Sequence, residues 1–236
     1  MLSIVNANLV FNEDTNIEKQ LFENLNIHFN KGEFVTIIGD NGAGKSSLLN
    51  LISGSCAIKS GEIILNGNDI LKESEWKRAK YIGRVFQSPA VGLAPDLTLL
   101  ENFTVMLHKN KKYMLGRGLS KSDKEIIFKE LKSLNVNLEN KLSSRPNELS
   151  GGQCQSAALI MAVLANPLLL LLDEHTAALD PQFAKSVIKL TEQIITERSL
   201  TALMVTHNIS DALRYGNRMI MIKNGNIHLD ISCEKK

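Results

Sequence analysis

The stretch Gly39-Asp40-Asn41-Gly42-Ala43-Gly44-Lys45-Ser46-Ser47 decides the fold of this chain. It follows the largely β-branched run 34–38, which predicts a buried strand, and it precedes the apolar run 48–52, which predicts a helix. The spacing matches G-x-x-x-x-G-K-[ST], a loop whose backbone N–H groups surround phosphate oxygens. An ordinary glycine turn is the alternative, but the agreement between the motif and its strand-to-helix context favours phosphate binding.

Three residue types in this loop have separate expected roles. Lys45 reaches the β- and γ-phosphates, and the Ser46 hydroxyl binds Mg²⁺. Glycines at 39, 42 and 44 allow the backbone to approach a ligand closely. The helix that follows points its N-terminal N–H groups at the same anion.

Two carboxylates follow a run of five leucines at 168–172. Because the carboxyl end of a buried parallel strand faces the ligand crevice of an α/β sheet, Asp173 and Glu174 are expected to face the phosphates. Asp173 is expected to bind Mg²⁺ directly or through water, and Glu174 to orient and polarise the attacking water. The alternative is that these two acids have only a structural role at a strand end, and the presence of a complete phosphate loop disfavours it.

Two further polar residues end predicted strands. Gln87 follows the strand 81–86 and offers its amide oxygen to Mg²⁺ or water. His207 follows the strand 201–206 and is expected to donate to a γ-phosphate. Either residue alone is more often structural, so the interpretation depends on their common position at strand ends.

The segment Leu149-Ser150-Gly151-Gly152-Gln153 introduces an uncharged helix predicted at 154–165. Ser150 is a plausible helix cap, but two adjacent glycines are costly if they lie within a helix. Their presence favours a second helix start that approaches an anion closely.

Composition limits the class of protein. The 236 residues are 44% hydrophobic and 22% charged, as in one large or two small globular units. The sequence has neither an apolar run of membrane-spanning length nor a signal-peptide pattern. Three widely spaced cysteines suggest neither disulfides nor zinc, and a net charge of +2 gives no argument for nucleic acid. A basic cluster at Lys109, Lys111, Lys112 and Arg117 is interpreted as a solvated loop.

The pattern of predicted elements divides the chain into three parts. Strands are expected at 2–11, 21–29, 62–65 and 81–86, with the last two interpreted as a pair. Helices are expected at 99–107 and 124–134 within a strand-free segment, with a loop at Gly116 and Gly118. An α/β pattern then returns, with strands at 168–172 and 201–206, helices at 181–198 and 209–215, and a closing hairpin at 219–222 and 227–231.

In this order the motifs resemble those of the nucleotide-binding subunits of ABC transporters, and the resemblance covers nearly the whole chain. The matching motifs are Walker A (39–46), the Q-loop (Gln87), the signature LSGGQ (149–153), Walker B with its catalytic glutamate (168–174), the D-loop Ala178-Leu179-Asp180 and the switch histidine (His207).

This resemblance implies a single α/β domain with a P-loop NTPase core, an antiparallel β subdomain and an inserted α-helical subdomain. The expected boundaries are 1–88 and 167–236 for the core with its β subdomain, and 89–166 for the helical subdomain. It also implies a Mg²⁺-dependent ATPase that forms a head-to-tail homodimer, with each ATP held between the Walker A loop of one subunit and the signature of the other. The implied catalytic residues are Lys45, Glu174 and His207, the metal ligands are Ser46, Gln87 and Asp173, and the nucleotide contacts are Phe11, Gly39, Asp40, Asn41, Gly42, Ala43, Gly44, Lys45, Ser46, Ser47, Gln87, Ser150, Gly151, Gly152, Gln153 and Asp180.

Phe11 stands where the family has an aromatic residue that stacks on adenine, although a phenylalanine at a strand end is as easily part of a core. His175 replaces a proline common in relatives, and Cys154, Gln155 and Ser156 stand where many relatives carry basic residues. The surrounding sequence resembles a bacterial subgroup of importers, some assigned to tryptophan or related amino acids. That subgroup implies a separate membrane permease, a substrate-binding protein and a cytoplasmic position at the inner face of the membrane.

The resemblance further implies that the segment 88–96 receives a cytoplasmic helix of the permease. The alternatives are an exporter subunit, an ATPase of DNA repair or translation, and an ATP-sensing scaffold without turnover. The first remains open from this sequence. The chain has neither the coiled coil expected of a DNA-repair ATPase nor the second cassette expected of a translation ATPase. The intact Glu174 and His207 argue against a scaffold without turnover.

Overall fold

The computed structural model describes residues 1–11, 18–109 and 119–233. The strands are β1 (Leu2–Phe11), β2 (Lys19–Phe29), β3 (Phe34–Ile38), β4 (Ser60–Leu65), β5 (Asn68–Asp69), β6 (Ile82–Val85), β7 (Leu169–Asp173), β8 (Thr201–Val205), β9 (Arg218–Lys223) and β10 (Asn226–Ser232). The helices are α1 (Lys45–Ser53), α2 (Glu75–Arg78), α3 (Leu99–Leu107), α4 (Lys121–Ser133), α5 (Gly151–Leu164), α6 (Pro181–Glu197) and α7 (Ile209–Tyr215). Among these helices, none is long and apolar enough to cross a membrane.

The strands form two sheets. A four-stranded antiparallel sheet has the order β2-β1-β4-β5, and a six-stranded sheet has the order β10-β9-β3-β8-β7-β6. In the larger sheet, β9, β3, β8, β7 and β6 run parallel, while β10 pairs antiparallel with β9 at one edge. The expected combination of an antiparallel subdomain with a strand that precedes the phosphate loop is therefore confirmed. The antiparallel strands form the smaller sheet, and β3, which precedes the loop, lies in the larger sheet.

The central strands of the larger sheet are buried on both faces. Along β7, Leu169 and Leu171 belong to the hydrophobic core shared with the antiparallel sheet and α1, whereas Leu170 and Leu172 belong to the core shared with α3 to α6. Successive side chains of a strand point to opposite faces, so an uninterrupted leucine run suits a strand covered on both sides. This packing holds the carboxyl end of β7, with Asp173 and Glu174, in a fixed position.

The predicted pairing of 62–65 with 81–86 is wrong. Strand β4 pairs with β1 in the antiparallel sheet, with Leu65 opposite Leu2, while β6 pairs with β7 in the other sheet, with Ile82 opposite Leu169. The short strand β5, which pairs with β4, and the short helix α2 lie between the two strands in sequence. The sequence analysis did not predict α2.

Helix α2 is held in place by the buried Arg78. Its guanidinium donates hydrogen bonds to the carbonyls of Leu51 and Ile52 at the end of α1, and to those of Leu71 and Glu73. Burial lowers the pKa of Arg78. These contacts satisfy carbonyl groups that the last turn of α1 leaves without helical partners.

Helices α3 and α4 form the strand-free part of the chain, as predicted for the described residues of 89–149. Both begin with capping boxes, Thr98 with Glu101 and Ser120 with Asp123. Arg198, after α6, contacts Glu130 on α4 and donates a 3.1 Å hydrogen bond to the carbonyl of Val163 on α5.

Helix α5 contacts α3, but it also packs against β6 and α6. The division of the chain at residue 166 remains a prediction. Most of the predicted basic cluster (Lys111, Lys112 and Arg117) and the loop at Gly116 and Gly118 lie outside the described residues.

A candidate nucleotide site at the strand ends

The loop between β3 and α1 has a backbone that requires glycine. Gly39, Gly42 and Gly44 have φ angles of 150°, 77° and 110°, which side chains disfavour. A Cβ at residue 39 would lie 2.1 Å from the carbonyl oxygen of Ile222, and one at residue 44 would lie 2.9 Å from the Phe22 ring. By contrast, a Cβ at residue 42 would meet nothing within 4 Å, so Gly42 borders open space where a ligand can approach.

Lys45 is buried at the first position of α1. Its Nζ donates to the carbonyl oxygens of Gly39 at 2.8 Å and Asp40 at 2.9 Å. No ion pair of the described residues involves Lys45, although a buried ammonium is costly without a compensating charge. The ammonium group therefore lies within the loop, positioned to bind an anion there.

Ser46, on α1, and Asp173, at the end of β7, are joined by a hydrogen bond. The Ser46 hydroxyl donates a hydrogen bond of 2.9 Å to Asp173 Oδ1, which brings together two groups that were predicted separately from residues 127 positions apart. A hydroxyl and a carboxylate are oxygen ligands of the kind that Mg²⁺ prefers, and Mg²⁺ usually takes few protein ligands and completes its shell with phosphate and water. No cluster of three or more acidic, His or Cys side chains in the described residues suggests a metal cage held by protein alone. The donor set thus fits Mg²⁺ bound with a phosphate ligand.

Arg84 was not predicted as a site residue. From β6 its guanidinium reaches Asn50 Oδ1 at 2.6 Å and Ser53 Oγ at 3.0 Å on α1, and it lies 3.5 Å from Asp173 Oδ2. Arg84 therefore lies beside the carboxylate oxygen of Asp173 that Ser46 does not contact, and it connects this carboxylate to the phosphate-loop helix. An arginine in the otherwise apolar stretch 82–86 was the available signal, and its side chain is only 13% exposed.

Glu174 and His207 are also brought together. Glu174 Oε1 lies 2.6 Å from His207 Nε2, a distance at which the carboxylate accepts a hydrogen bond. Glu174 has a φ of 47°, which is uncommon for a residue other than glycine or asparagine. Its N–H donates to the carbonyl of Val205 on β8, so the chain turns sharply after β7 and aims this carboxylate at the end of β8. Such backbone strain is often found at functional sites.

Two predicted contacts are exposed at the borders of this region. Gln87 is exposed two residues beyond the end of β6, and β6 is paired with β7, where Val85 lies opposite Leu172. Phe11 is 39% exposed at the end of β1. The ring of Phe11 is therefore available for stacking, and the alternative that it is a core residue is disfavoured.

The signature segment is a capped helix start. Ser150 Oγ accepts from the Gln153 N–H at 3.3 Å, and Gln153 Oε1 accepts from the Ser150 N–H at 3.1 Å. Helix α5 thus begins at Gly151, three residues before the predicted start, because the capping box places both glycines in its first turn. Hydrogen bonds and ion pairs between the described residues do not link this segment to the phosphate loop of the same chain.

The two signature glycines have different surroundings. A Cβ at Gly152 would lie 2.9 Å from the Phe183 side chain at the start of α6, whereas one at Gly151 would find only Leu179, at 3.6 Å. Close packing within the chain therefore accounts for Gly152. Gly151 is exposed, so its backbone is free to approach a ligand.

Asp180, predicted as a nucleotide contact, caps α6. Its Oδ1 accepts a hydrogen bond of 2.9 Å from the Gln182 N–H. The segment 179–183 thus packs beside the signature start, and Asp180 has a structural role in the single chain.

The uncharged helix after the signature is explained by its burial. All residues from Ala157 to Leu164 are buried, between α3, α6 and β6. A helix that is apolar on every side is typical of a core position.

Comparison with known proteins identifies the class. Residues 22–177 match the family described as ABC transporter, and the chain belongs to this family. It binds ATP, and it is an ATP-hydrolysing subunit of the kind that powers transport.

Relatives with assigned roles narrow the class. The chain is 44% identical over 236 residues to the tyrosine transport ATP-binding protein of Clostridioides difficile (strain R20291), covering 100% of this chain and 94% of that protein. It is 37% identical over 212 residues to the thiamine import ATP-binding protein ThiQ of Photorhabdus laumondii, covering 90% of this chain and 85% of the relative.

Solved structures agree with the fold. The ATP-binding cassette MJ0796, determined as a dimer in a post-hydrolysis state with ADP and Pi, aligns with a TM-score of 0.84 at 29% identity, and the alignment covers 100% of both chains. The expected fold class, an ABC ATPase cassette with antiparallel and parallel sheets and a helical part, is confirmed.

Proposed function

We propose that this subunit hydrolyses ATP at the strand ends described above, with Lys45, Ser46, Asp173, Glu174 and His207 as the working residues. The observation that carries the proposal is the pairing of Ser46 with Asp173 and of Glu174 with His207. The two carboxylates of these pairs are adjacent in sequence, so the metal-binding group and the proposed base lie side by side. Phosphoryl transfer to water needs both a group that binds the metal ion and a group that orients the attacking water.

Each residue has one task in this proposal. Lys45 and the N–H groups of the loop hold the β- and γ-phosphates, and Ser46, Asp173 and Gln87 would hold Mg²⁺. Bound Mg²⁺ neutralises charge on the phosphate oxygens. Glu174 accepts a hydrogen bond from the attacking water and orients it, while His207 Nε2, which contacts Glu174 in this structure, donates to the γ-phosphate when ATP is bound.

Replacement of Glu174 by glutamine tests this assignment. The amide keeps the size of the side chain but is a poor base, and general-base catalysis is typically worth about 10²–10⁴-fold in rate. Glu174→Gln should therefore bind ATP as the native chain does, while its hydrolysis rate falls by about that factor. Binding of a fluorescent ATP analogue and phosphate release measure the two effects, and hydrolysis at the native rate would rule out Glu174 as the base.

We further propose that two copies share each ATP. Among the described residues, no hydrogen bond or ion pair joins the phosphate loop directly to Ser150, and Gly151 is exposed at a helix start that can accept an anion. A second copy in head-to-tail orientation would supply its signature segment to this loop. The dimeric relatives support such an arrangement.

The transported substrate is proposed from the relatives. The strongest support comes from full-length similarity to a tyrosine transport subunit, so we propose an importer of tyrosine or a related amino acid. This role requires a membrane permease and a substrate-binding protein, and it places the subunit at the inner face of the membrane. Co-purification with the native permease, followed by uptake assays with labelled amino acids, tests the proposal. Failure of a permease-containing preparation to take up tyrosine and its close analogues would contradict it.

A further inference from the structure

One buried amide connects the signature helix to the residue that precedes Gln87. Gln155 is completely buried in the second turn of α5. Its Nε2 donates a hydrogen bond of 3.0 Å to the carbonyl oxygen of Phe86. The two predicted nucleotide contacts Gln87 and Ser150 therefore belong to segments that touch inside one subunit.

Packing alone does not explain this glutamine. Its Oε1 has no hydrogen-bond partner among the described residues, which is unfavourable for a buried amide oxygen. The rest of the helix from Ala157 to Leu164 is buried and apolar, and methionine would fill a similar volume without an unpaired oxygen. What the amide adds is the bond to Phe86.

The side chain of Phe86 has a further contact, with Arg84. The Arg84 guanidinium lies 4.6 Å from the centroid of the Phe86 ring. The same guanidinium reaches Asn50 on α1 and lies beside Asp173. A continuous set of contacts thus runs from the phosphate-loop helix and Asp173, through Arg84 and Phe86, to Gln155 on the signature helix.

We propose that Gln155 is a positioning residue that transmits nucleotide binding at the phosphate loop to the signature segment of the same subunit. A ligand that binds at the phosphate loop and at Gln87 fixes the neighbouring Phe86 carbonyl. The hydrogen bond to Gln155 then fixes the first turns of α5, and with them Ser150 and Gly151. The inference rests on the proposed function, because it takes residues 87 and 150–153 as nucleotide contacts.

Hydrogen–deuterium exchange of the full chain with MgADP tests this link without requiring hydrolysis. Four proteins are compared as monomers, with their state verified by sedimentation: the native chain, Gln155→Met, Gln155→His and Ser156→Ala. Histidine retains an N–H at a similar reach, whereas methionine has no donor. Ser156 is the matched control, because in the described part of the chain its hydroxyl donates to the Gly152 carbonyl within the same helix and not to another element.

In the native chain, MgADP should slow exchange at 39–47, 84–92 and 149–156. In Gln155→Met, the first two segments should respond as in the native chain, while the response at 149–156 falls to less than half. Gln155→His and Ser156→Ala should behave as the native chain does. A purely stabilising role for Gln155 would instead change exchange in all segments, with and without nucleotide.

Several results would overturn the inference. Two results would contradict the role of Gln155 but not the proposed nucleotide site. One is a full response at 149–156 in Gln155→Met. The other is no response at 149–156 in the native chain while 39–47 responds. No response anywhere in the native chain would overturn the proposed nucleotide site and this inference together. If Gln155→Met does not fold by circular dichroism, Gln155→Leu replaces it. If neither folds while Gln155→His does, the bond is structural only and the proposal is wrong.

Discussion

At the residue scale, the chemistry of the site depends on side chains held by neighbours that were not all visible in the sequence. Asp173 lies between Ser46 and Arg84, and Glu174 lies beside His207. Ser46, Asp173, Glu174 and His207 could be predicted, because each follows a motif or a strand end. The contacts of Arg84 and Gln155 could not be predicted, although the arginine in an apolar stretch was a signal, because they join residues distant in sequence.

His175 is a further residue whose role appears only in the fold. It is 1% exposed, and its Nε2 lies 2.9 Å from Thr191 Oγ1. The Thr191 hydroxyl donates to the Val187 carbonyl, so it accepts from an Nε2–H of His175. Burial lowers the pKa of His175 to about 4 from the ordinary value of 6.5. The folded protein therefore holds this histidine neutral.

This lowered pKa predicts how stability depends on pH. Below pH 6.5 the unfolded chain binds a proton at His175 that the folded chain excludes until about pH 4. Above pH 6.5 this group therefore does not lower the free energy of unfolding. As the pH falls from 6.5 to about 4, it lowers the free energy of unfolding by up to about 3 kcal/mol.

Chemical denaturation of the native chain, His175→Gln and His228→Gln between pH 4 and 7 measures this effect. Glutamine at 175 should flatten the loss of unfolding free energy in this window. The change at the exposed His228 should leave it unaltered. An equal slope in the native chain and in His175→Gln would contradict the assignment.

At the element scale, local patterns predicted most helices and strands but not their neighbours. The leucine run predicted β7, the apolar spacing predicted α3, and Pro181 at a permitted early position agreed with α6. The incorrect prediction that 62–65 pairs with 81–86 arose because strands close in sequence often pair. In the structure β4 pairs with β1 and with the short strand β5. The start of α5 was placed too late because two glycines normally disfavour a helix, and the capping box with Gln153 offsets that cost.

The contact between α5 and α6 gives a test with a built-in control. Ala at position 152 would press on Phe183, and such overpacking typically costs about 1–3 kcal/mol. Ala at position 151 meets only ordinary contact. In thermal melts, Gly152→Ala should unfold at a lower temperature than Gly151→Ala.

Adding Phe183→Ala should remove most of the difference between the two variants, because it deletes the side chain that the new methyl group meets. If Gly152→Ala is as destabilised with Phe183→Ala as without it, close packing is not the reason for this glycine.

The segment 88–96 is predicted to dock on the permease. Val91 is 63% exposed in a 3-10 turn at 89–91 that contacts α5, and the segment lies directly after Gln87, where nucleotide contacts and permease contacts can influence each other. Val91→Cys should form a disulfide or bifunctional crosslink to the co-expressed permease.

Leu229→Cys serves as a matched control, since Leu229 is an exposed apolar residue on β10 at the other edge of the larger sheet. Crosslinks from Leu229→Cys that equal those from Val91→Cys, or a lack of crosslinks throughout 88–96, would count against docking there.

At the scale of the whole molecule, the proposed ATP site is complete only when two chains combine. The larger sheet brings the phosphate loop, Asp173, Glu174 and His207 to one set of strand ends, while the Ser150 segment lies at the start of α5 and, among the described residues, makes local hydrogen bonds there. The sequence could predict both halves, because each is a short motif. Their separation within the chain follows from the packing of α5 against α3, α6 and β6, which no local pattern encodes.

Mixed dimers of Lys45→Ala and Ser150→Arg test this claim most directly. Each variant alone should be inactive, since Lys45→Ala removes the phosphate-binding charge and Ser150→Arg blocks the signature. A mixed dimer, isolated with two different tags, contains one site with both defects and one intact site. It should regain ATP-dependent association and ATP binding, and hydrolysis if one intact site is enough. A chain carrying both changes, mixed with Ser150→Arg, has no intact site and should remain inactive. If isolated mixed dimers bind ATP no better than either parent, the shared-site account is wrong.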